Sequence, residues 1–215
     1  MKRDDVKRKP YESAVRAAAA RERRRRILAA GSELFVENGY AVTTMKAVAE
    51  RAGVAERTLY LNFPTKASLL NECIRTAIRG GDEDVPMLQR TTWSDALEAA
   101  PDRILELVAK ATTDLYSRTA RLLAVGEAAA RDDPELAEFR DRGHAATRAD
   151  ALQIARAMKR AGILRRGIST DHAADIFFAI AATETVYLRL VDDCGWNDAA
   201  YARMLKDALA GALAA

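Results

Sequence analysis

The stretch whose reading decides the fold is Thr43–Lys66, TTMKAVAERAGVAERTLYLNFPTK. Met45, Val48 and Ala52 recur at i, i+3 and i+7, the spacing of one helical face. Gly53 interrupts that pattern where a tight turn needs a positive φ. Val54, Leu59 and Phe63 then form a second apolar stripe, and Glu56, Arg57, Thr58, Tyr60 and Asn62 lie between them. A short helix that buries a narrow stripe and shows hydrogen-bonding groups on its other side suits a DNA groove. The segment reads as a helix-turn-helix and points to a DNA-binding regulator.

Upstream, Ala14–Asn38 is expected to be one long helix with Ile27, Ala30, Leu34 and Phe35 as its apolar stripe and Gly39 at C′. Arg21 and Arg23 to Arg26 crowd its N-terminal half, where cations oppose the helix dipole, so an external anion is the expected partner. Residues 1–12 are charged and aperiodic and contain Pro10, and are expected to form a flexible basic arm. Downstream, Thr65 can cap a fourth helix that runs to about Arg79 and stops at Gly80 and Gly81. Lys66 in its first turn, beside free backbone N–H groups, suits a phosphate oxygen. These boundaries give a DNA-binding domain with its connecting helix over 13–79, and a ligand-binding and dimerisation domain over 80–215.

The net charge of +3 conceals an asymmetry. Residues 1–78 hold 16 Lys+Arg against 9 Asp+Glu, a balance of +7, and the rest hold 18 against 22, a balance of −4. Positive charge thus accompanies the helix-turn-helix, as phosphate binding requires. The composition is rich in Ala, Leu, Arg and Glu and poor in β-branched runs, which predicts an all-α fold. No run of about 18 apolar residues is present, so no membrane span or membrane partner is expected. No apolar stretch follows the N-terminal charges, so no secretory signal is expected. The two cysteines, Cys73 and Cys194, fit no zinc or redox spacing. A reduced cytoplasmic chain without metal or cofactor is the expectation.

The remainder reads as helices. One begins near Trp93, and a second, opened by Pro101, carries Ile104, Leu105, Val108, Ala111 and Leu115. A separate helix is expected over Ala120–Arg131. Asp133 caps a long helix to about Ala161, and Ser169 caps another through Asp192. That last helix is apolar on nearly every side and must be covered all round. A final amphipathic helix spans Asp198–Leu213. Pairing these last two helices with their symmetry mates would build the seam of a homodimer from Val186, Leu190, Val191, Tyr201, Leu205 and Leu209.

The segment RRRRILAAGSELFVENGYAVTTMKAVAERAGVAERTLYLNFPTKASLL, Arg23 to Leu70, resembles the N-terminal domain of the TetR family of bacterial transcriptional regulators. Gly39-Tyr40, Thr43-Thr44, Ala52-Gly53-Val54, Thr58-Leu59-Tyr60, Phe63 and Lys66 follow the family's order and spacing. The resemblance implies an all-α homodimer with a three-helix DNA-binding head and a helical ligand-binding body. It places Thr44, Tyr60 and Lys66 at phosphates, and Arg57 and Thr58 on bases or backbone. Asn62 stands where many members carry histidine, and with Glu56 completes the expected DNA-facing set. Ala55 replaces the usual capping Ser or Thr, and Arg57 stands where Gly is frequent.

For the body, no catalytic constellation is visible. His144 and His172 fall on different helices, and there is no Gly-rich phosphate loop, paired zinc motif or Ser-His-Asp pattern. Enzymatic activity is not expected. The expected function is a ligand-responsive transcriptional regulator, with repression as its sense, that binds a palindromic double-stranded operator. The alternative is an architectural DNA-binding protein without a ligand. Tyr116, Leu123, Phe139, His144, Arg148, Phe177 and Glu184 are the expected pocket residues. Such a lining favours an apolar or aromatic effector.

Overall fold

A computed structural model describes residues 5–80 and 85–214, with side chains from residue 15 onward. The described residues are almost wholly α-helical, in agreement with the expected class. They divide into two compact units, one ending at Cys73 and the other starting at Ile74.

The first unit begins with α1 (Asp5–Val42). Gly39 interrupts it with φ 75 and ψ 172, a conformation a side chain would resist, so the helix proper ends where the glycine predicted. At its other end α1 reaches back to Asp5, so residues 5–12 of the expected basic arm are helical and residues 1–4 lie outside the described residues. Next come α2 (Met45–Ala52), α3 (Glu56–Asn62) and α4 (Lys66–Arg79). The division between the units falls inside α4. Ile27, Leu34, Phe35, Val48, Leu59, Phe63, Leu69 and Leu70 are buried and form the core of the first unit. Seven residues cannot hold a helix in water unaided. α3 persists because Leu59 at its middle, with no exposure, and Phe63 at its C-terminal end anchor it to the core.

The second unit contains α5 (Thr91–Glu98), α6 (Pro101–Ala129), α7 (Pro134–Arg160), α8 (Thr170–Ala181), α9 (Glu184–Leu188) and α10 (Asp198–Leu213). Two expectations are corrected. Residues 101–129 are one continuous helix, with Thr112, Thr113 and Thr119 buried along it. The latter two hydroxyls donate to the carbonyls of Ala109 and Leu115, so the polar run Ala111–Arg121 does not break it. The helix expected over Ser169–Asp192 is instead two. Ser169 caps α8 as predicted, accepting from the His172 N–H at 3.1 Å. At Thr183 the backbone becomes extended, φ −139 and ψ 116, and α9 restarts at Glu184. A β-branched residue tolerates the extended conformation, and an acidic first turn favours a new N-terminus. A single π-turn over Arg189–Asp193 follows, with Arg121 holding Asp192 at 2.5 Å.

The break explains how a segment apolar on all sides is accommodated. α8 buries Ala173, Ala174, Phe177 and Ala181, and α9 buries Tyr187 on a different face. α10 packs on α6 and α8, and its Tyr201, Leu205, Leu209 and Leu213 have no exposure. The Arg165 guanidinium closes the C-terminal end of α10, donating to the carbonyls of Gly211 and Ala212 at 2.6 and 2.7 Å.

Candidate nucleic-acid interface

The helix-turn-helix is assembled from local hydrogen bonds that the sequence specifies. The Thr43 hydroxyl, almost fully buried, donates to the carbonyls of Leu34 and Gly39 at 3.0 and 2.8 Å. Thr44 is the N-cap of α2, its Oγ1 accepting from the Ala47 N–H at 3.1 Å. Gly53 ends α2 at φ 64 and ψ 43, so its N–H and that of Val54 turn back to the carbonyls of Glu50 and Ala49. Arg26 on α1 donates to the Ala52 carbonyl at 3.1 Å. Ala55 opens α3 without a side-chain cap, as its apolar side chain predicts.

Much of the arginine cluster expected to await an external anion is used inside this unit. Arg24 pairs with Glu72 at 3.1 Å and lies 4.7 Å from the Phe63 ring centroid. Arg25 pairs with Glu22, and Arg26 holds the end of α2. Arg51 on α2 reaches Glu33 and Glu37 on α1 at 3.4 and 3.1 Å. These contacts set the angle at which α2 and α3 leave α1.

The expected DNA-facing residues lie along α3 and the flanking helix starts. Thr44, Glu56, Arg57, Tyr60 and Asn62 are exposed, and Thr58 and Lys66 are half-buried. Two of them already serve the scaffold. Asn62 donates its side-chain amide to the Thr58 carbonyl at 2.7 Å. The Lys66 ammonium donates to the Tyr40 carbonyl at 2.7 Å and the Ala41 carbonyl at 3.4 Å, and lies 4.3 Å from the Tyr40 ring centroid. It therefore secures the chain just past Gly39. One exposed residue of α3 escaped the sequence reading. Leu61 is 78% exposed, beside Tyr60 at 47%. Its apolar side chain breaks the binary pattern, and that was the signal available for finding it.

In the second unit the expected pocket residues separate into two groups. Tyr116 and Phe177 are buried in the core, Leu123 packs against it, and Glu184 is half-buried at the start of α9. Tyr116, Tyr187 and Tyr201 form a chain of rings, with centroids 5.9 and 4.9 Å apart. Burial, with Tyr201 and Glu184 nearby, pushes the Tyr116 hydroxyl well above the ordinary phenol range. Thr112 Oγ1 and Tyr201 Oη are buried without a hydrogen-bond partner among the described residues. The other group lies at the surface. His144 pairs with Glu127 at 3.0 Å, Arg148 pairs with Asp175 at 2.7 Å, and half-buried Phe139 lies against the Arg75 guanidinium. The structure does not bring these three to Tyr116. A cleft of about 540 Å³ opens elsewhere, between α6 and α10, lined by charged residues including Lys110, Asp114, Asp198 and Arg203.

The expected seam is also corrected. Tyr201, Leu205 and Leu209 are covered within their own chain and offer no surface to a second subunit. Val186 remains 38% exposed, and Leu190 and Val191 are half-buried.

Among the described residues no group of His, Cys, Asp and Glu is placed to hold a metal, and no helix is long and apolar enough to cross a membrane.

Comparison with known proteins agrees with this geometry. Residues 27–73 match the bacterial regulatory proteins of the tetR family. Over 59 residues the chain is 51% identical to the transcriptional repressor KstR of Mycolicibacterium smegmatis, which covers 27% of this chain and 29% of that one. The match thus spans less than a third of that curated relative. The fold resembles that of Bacillus subtilis FadR solved with stearoyl-CoA, with a TM-score of 0.68, 22% identity, and 86% and 96% of the two chains covered. A transcriptional regulator from Saccharomonospora viridis solved with choline gives a TM-score of 0.66 at 15% identity, covering 89% and 97%. The buried stripes, the Gly53 turn and the matched segment coincide in the first unit, so residues 27–73 carry a DNA-binding domain of the type found in the tetR family of bacterial regulatory proteins.

Proposed function

We propose that this protein is a ligand-responsive transcriptional regulator that binds a palindromic operator as a homodimer. The observation that carries the reading is α3: a helix anchored by Leu59 and Phe63, with Arg57, Tyr60 and Asn62 turned to solvent. Arg57 and Thr58 read bases, and Thr44, Tyr60 and Lys66 contact phosphate, with Glu56 and Asn62 beside them. The similarity to a repressor favours repression as the sense. Two-fold symmetry would present two copies of α3 to successive major grooves, with half-sites about one helical turn apart or somewhat more. Exposed Val186, with half-buried Leu190 and Val191, supports a seam built on α9 and the π-turn.

The effector reading rests on the core of the second unit. Buried hydroxyls are almost always hydrogen-bonded, so the orphaned Thr112 and Tyr201 groups call for a partner that a polar group of a small molecule would supply. Tyr116, Leu123, Phe177 and Glu184 would surround it. α4 is the element common to both units, with Lys66 in its first turn and buried Ile74 where the second unit starts. It is the proposed transmitter, with a coupling of about 1–3 kcal/mol. Stearoyl-CoA and choline, held by two structural neighbours, are the first probes. Each is titrated with and without operator DNA. Linkage requires an effector and the operator to change each other's affinity by the same factor, and an effector that binds equally in both conditions refutes the control.

A further inference from the structure

We propose that Leu61 is a specificity-determining residue that reads the 5-methyl group of a thymine in each operator half-site. The inference rests on the DNA-binding reading of α3.

A large apolar side chain 78% exposed in the middle of a polar surface contributes little to the core of its own unit, so the fold gives no reason for it. Its position on α3 is specific. At about 100° per residue, Arg57 and Leu61 each lie roughly 160° around the helix from buried Leu59, on either side of the outward direction and about 40° apart. They are therefore neighbours one turn apart on the face most distant from the core of the head. Arg57 is exposed too. The outward face of this helix thus presents a guanidinium and a branched aliphatic group side by side.

The major groove offers one apolar feature, the thymine methyl, and arginine pairs with the guanine edge in the same groove. A leucine there would find only polar edges at other bases and would desolvate them without compensation. The juxtaposition of Arg57 and Leu61 predicts a guanine and a thymine in close succession in each half-site. Since Leu61 is 78% exposed and outside the buried core, its truncation leaves the head folded.

Uracil differs from thymine only by the methyl, which makes the test specific. An operator is first selected from random duplexes with the full chain. Each thymine of a half-site is then replaced by uracil, and affinities are measured for the native protein and for Leu61→Ala. At one position per half-site, uracil should weaken the native protein by about fourfold, the effect of one methyl-sized group withdrawn from apolar contact. Leu61→Ala should show the same loss with thymine and no further loss with uracil. Equal uracil effects in both proteins, or a Leu61→Ala loss that is uniform over all sequences, would overturn the inference while leaving sequence-specific binding intact. Failure to enrich any sequence would overturn the DNA-binding reading itself, and the inference with it.

Discussion

Lys66→Met isolates the contact that holds the end of α1. In the native chain the ammonium donates to the Tyr40 carbonyl at 2.7 Å and lies over the Tyr40 ring at 4.3 Å. A hydrogen bond from a charged donor contributes about 1.5–3 kcal/mol, and a half-buried donor belongs at the lower end. The ring contact at a partly exposed site adds about 0.5–1 kcal/mol. Methionine keeps the length of the stem and removes both, so the variant should lose about 2 kcal/mol against local opening. By the usual conversion of 1.36 kcal/mol per decade, that is about thirtyfold in the opening equilibrium. Native-state hydrogen exchange reads it directly at the Thr43 N–H, which is bonded to the Gly39 carbonyl. Unchanged exchange at Thr43 would refute the structural role. The same variant tests the proposed phosphate contact independently. Loss of one contact lowers the salt slope of DNA binding by about 0.9, and an unchanged slope would confine Lys66 to the scaffold.

Three other outcomes are expected. Ala55→Ser supplies the missing cap of α3 and should stabilise the head by about 1 kcal/mol in denaturant titration, whereas no gain would mean that the helix start is already satisfied. Burial pushes the Cys73 thiol up to about 12, while Cys194 is exposed, so iodoacetamide at pH 8 should label Cys194 alone in the folded chain, as read by mass spectrometry. Because Cys73 in the unfolded chain ionises near its ordinary 9.0 and the folded thiol does not, its contribution to stability should fall as pH rises from 9 to about 12, and labelling of Cys73 at pH 8 without unfolding would contradict this burial. Val186→Glu should yield a folded monomer in sedimentation, whereas Leu205→Glu, which places a charge in the core of its own chain, should unfold the second unit, and a folded Leu205→Glu monomer would return Leu205 to the seam.

The head was legible because its signals are local. Gly53 and Gly39 stand where the backbone takes positive φ, Thr44 caps the helix it precedes, and Ala55 leaves its helix uncapped. The body was less legible because its outcome depends on packing between helices distant in sequence. The apolar run Ser169–Asp192 gave no periodic warning that Thr183 would leave the helix, and the same run suggested a subunit seam where α6 and α8 instead cover α10. His144 and Arg148 are among the expected pocket residues, yet each meets a carboxylate on another helix, Glu127 and Asp175. The helix position of Lys66 and the family resemblance both point to phosphate, and nothing local discloses that the Tyr40 carbonyl lies within its reach.

Selection of binding sites from a random duplex library tests the central claim most directly. Purified full-length protein should enrich an inverted repeat whose half-sites lie about one helical turn apart or somewhat more, and Arg57→Ala should enrich a different sequence within the same spacing. A library that remains random after selection, or a single isolated half-site bound by one protomer, would contradict it.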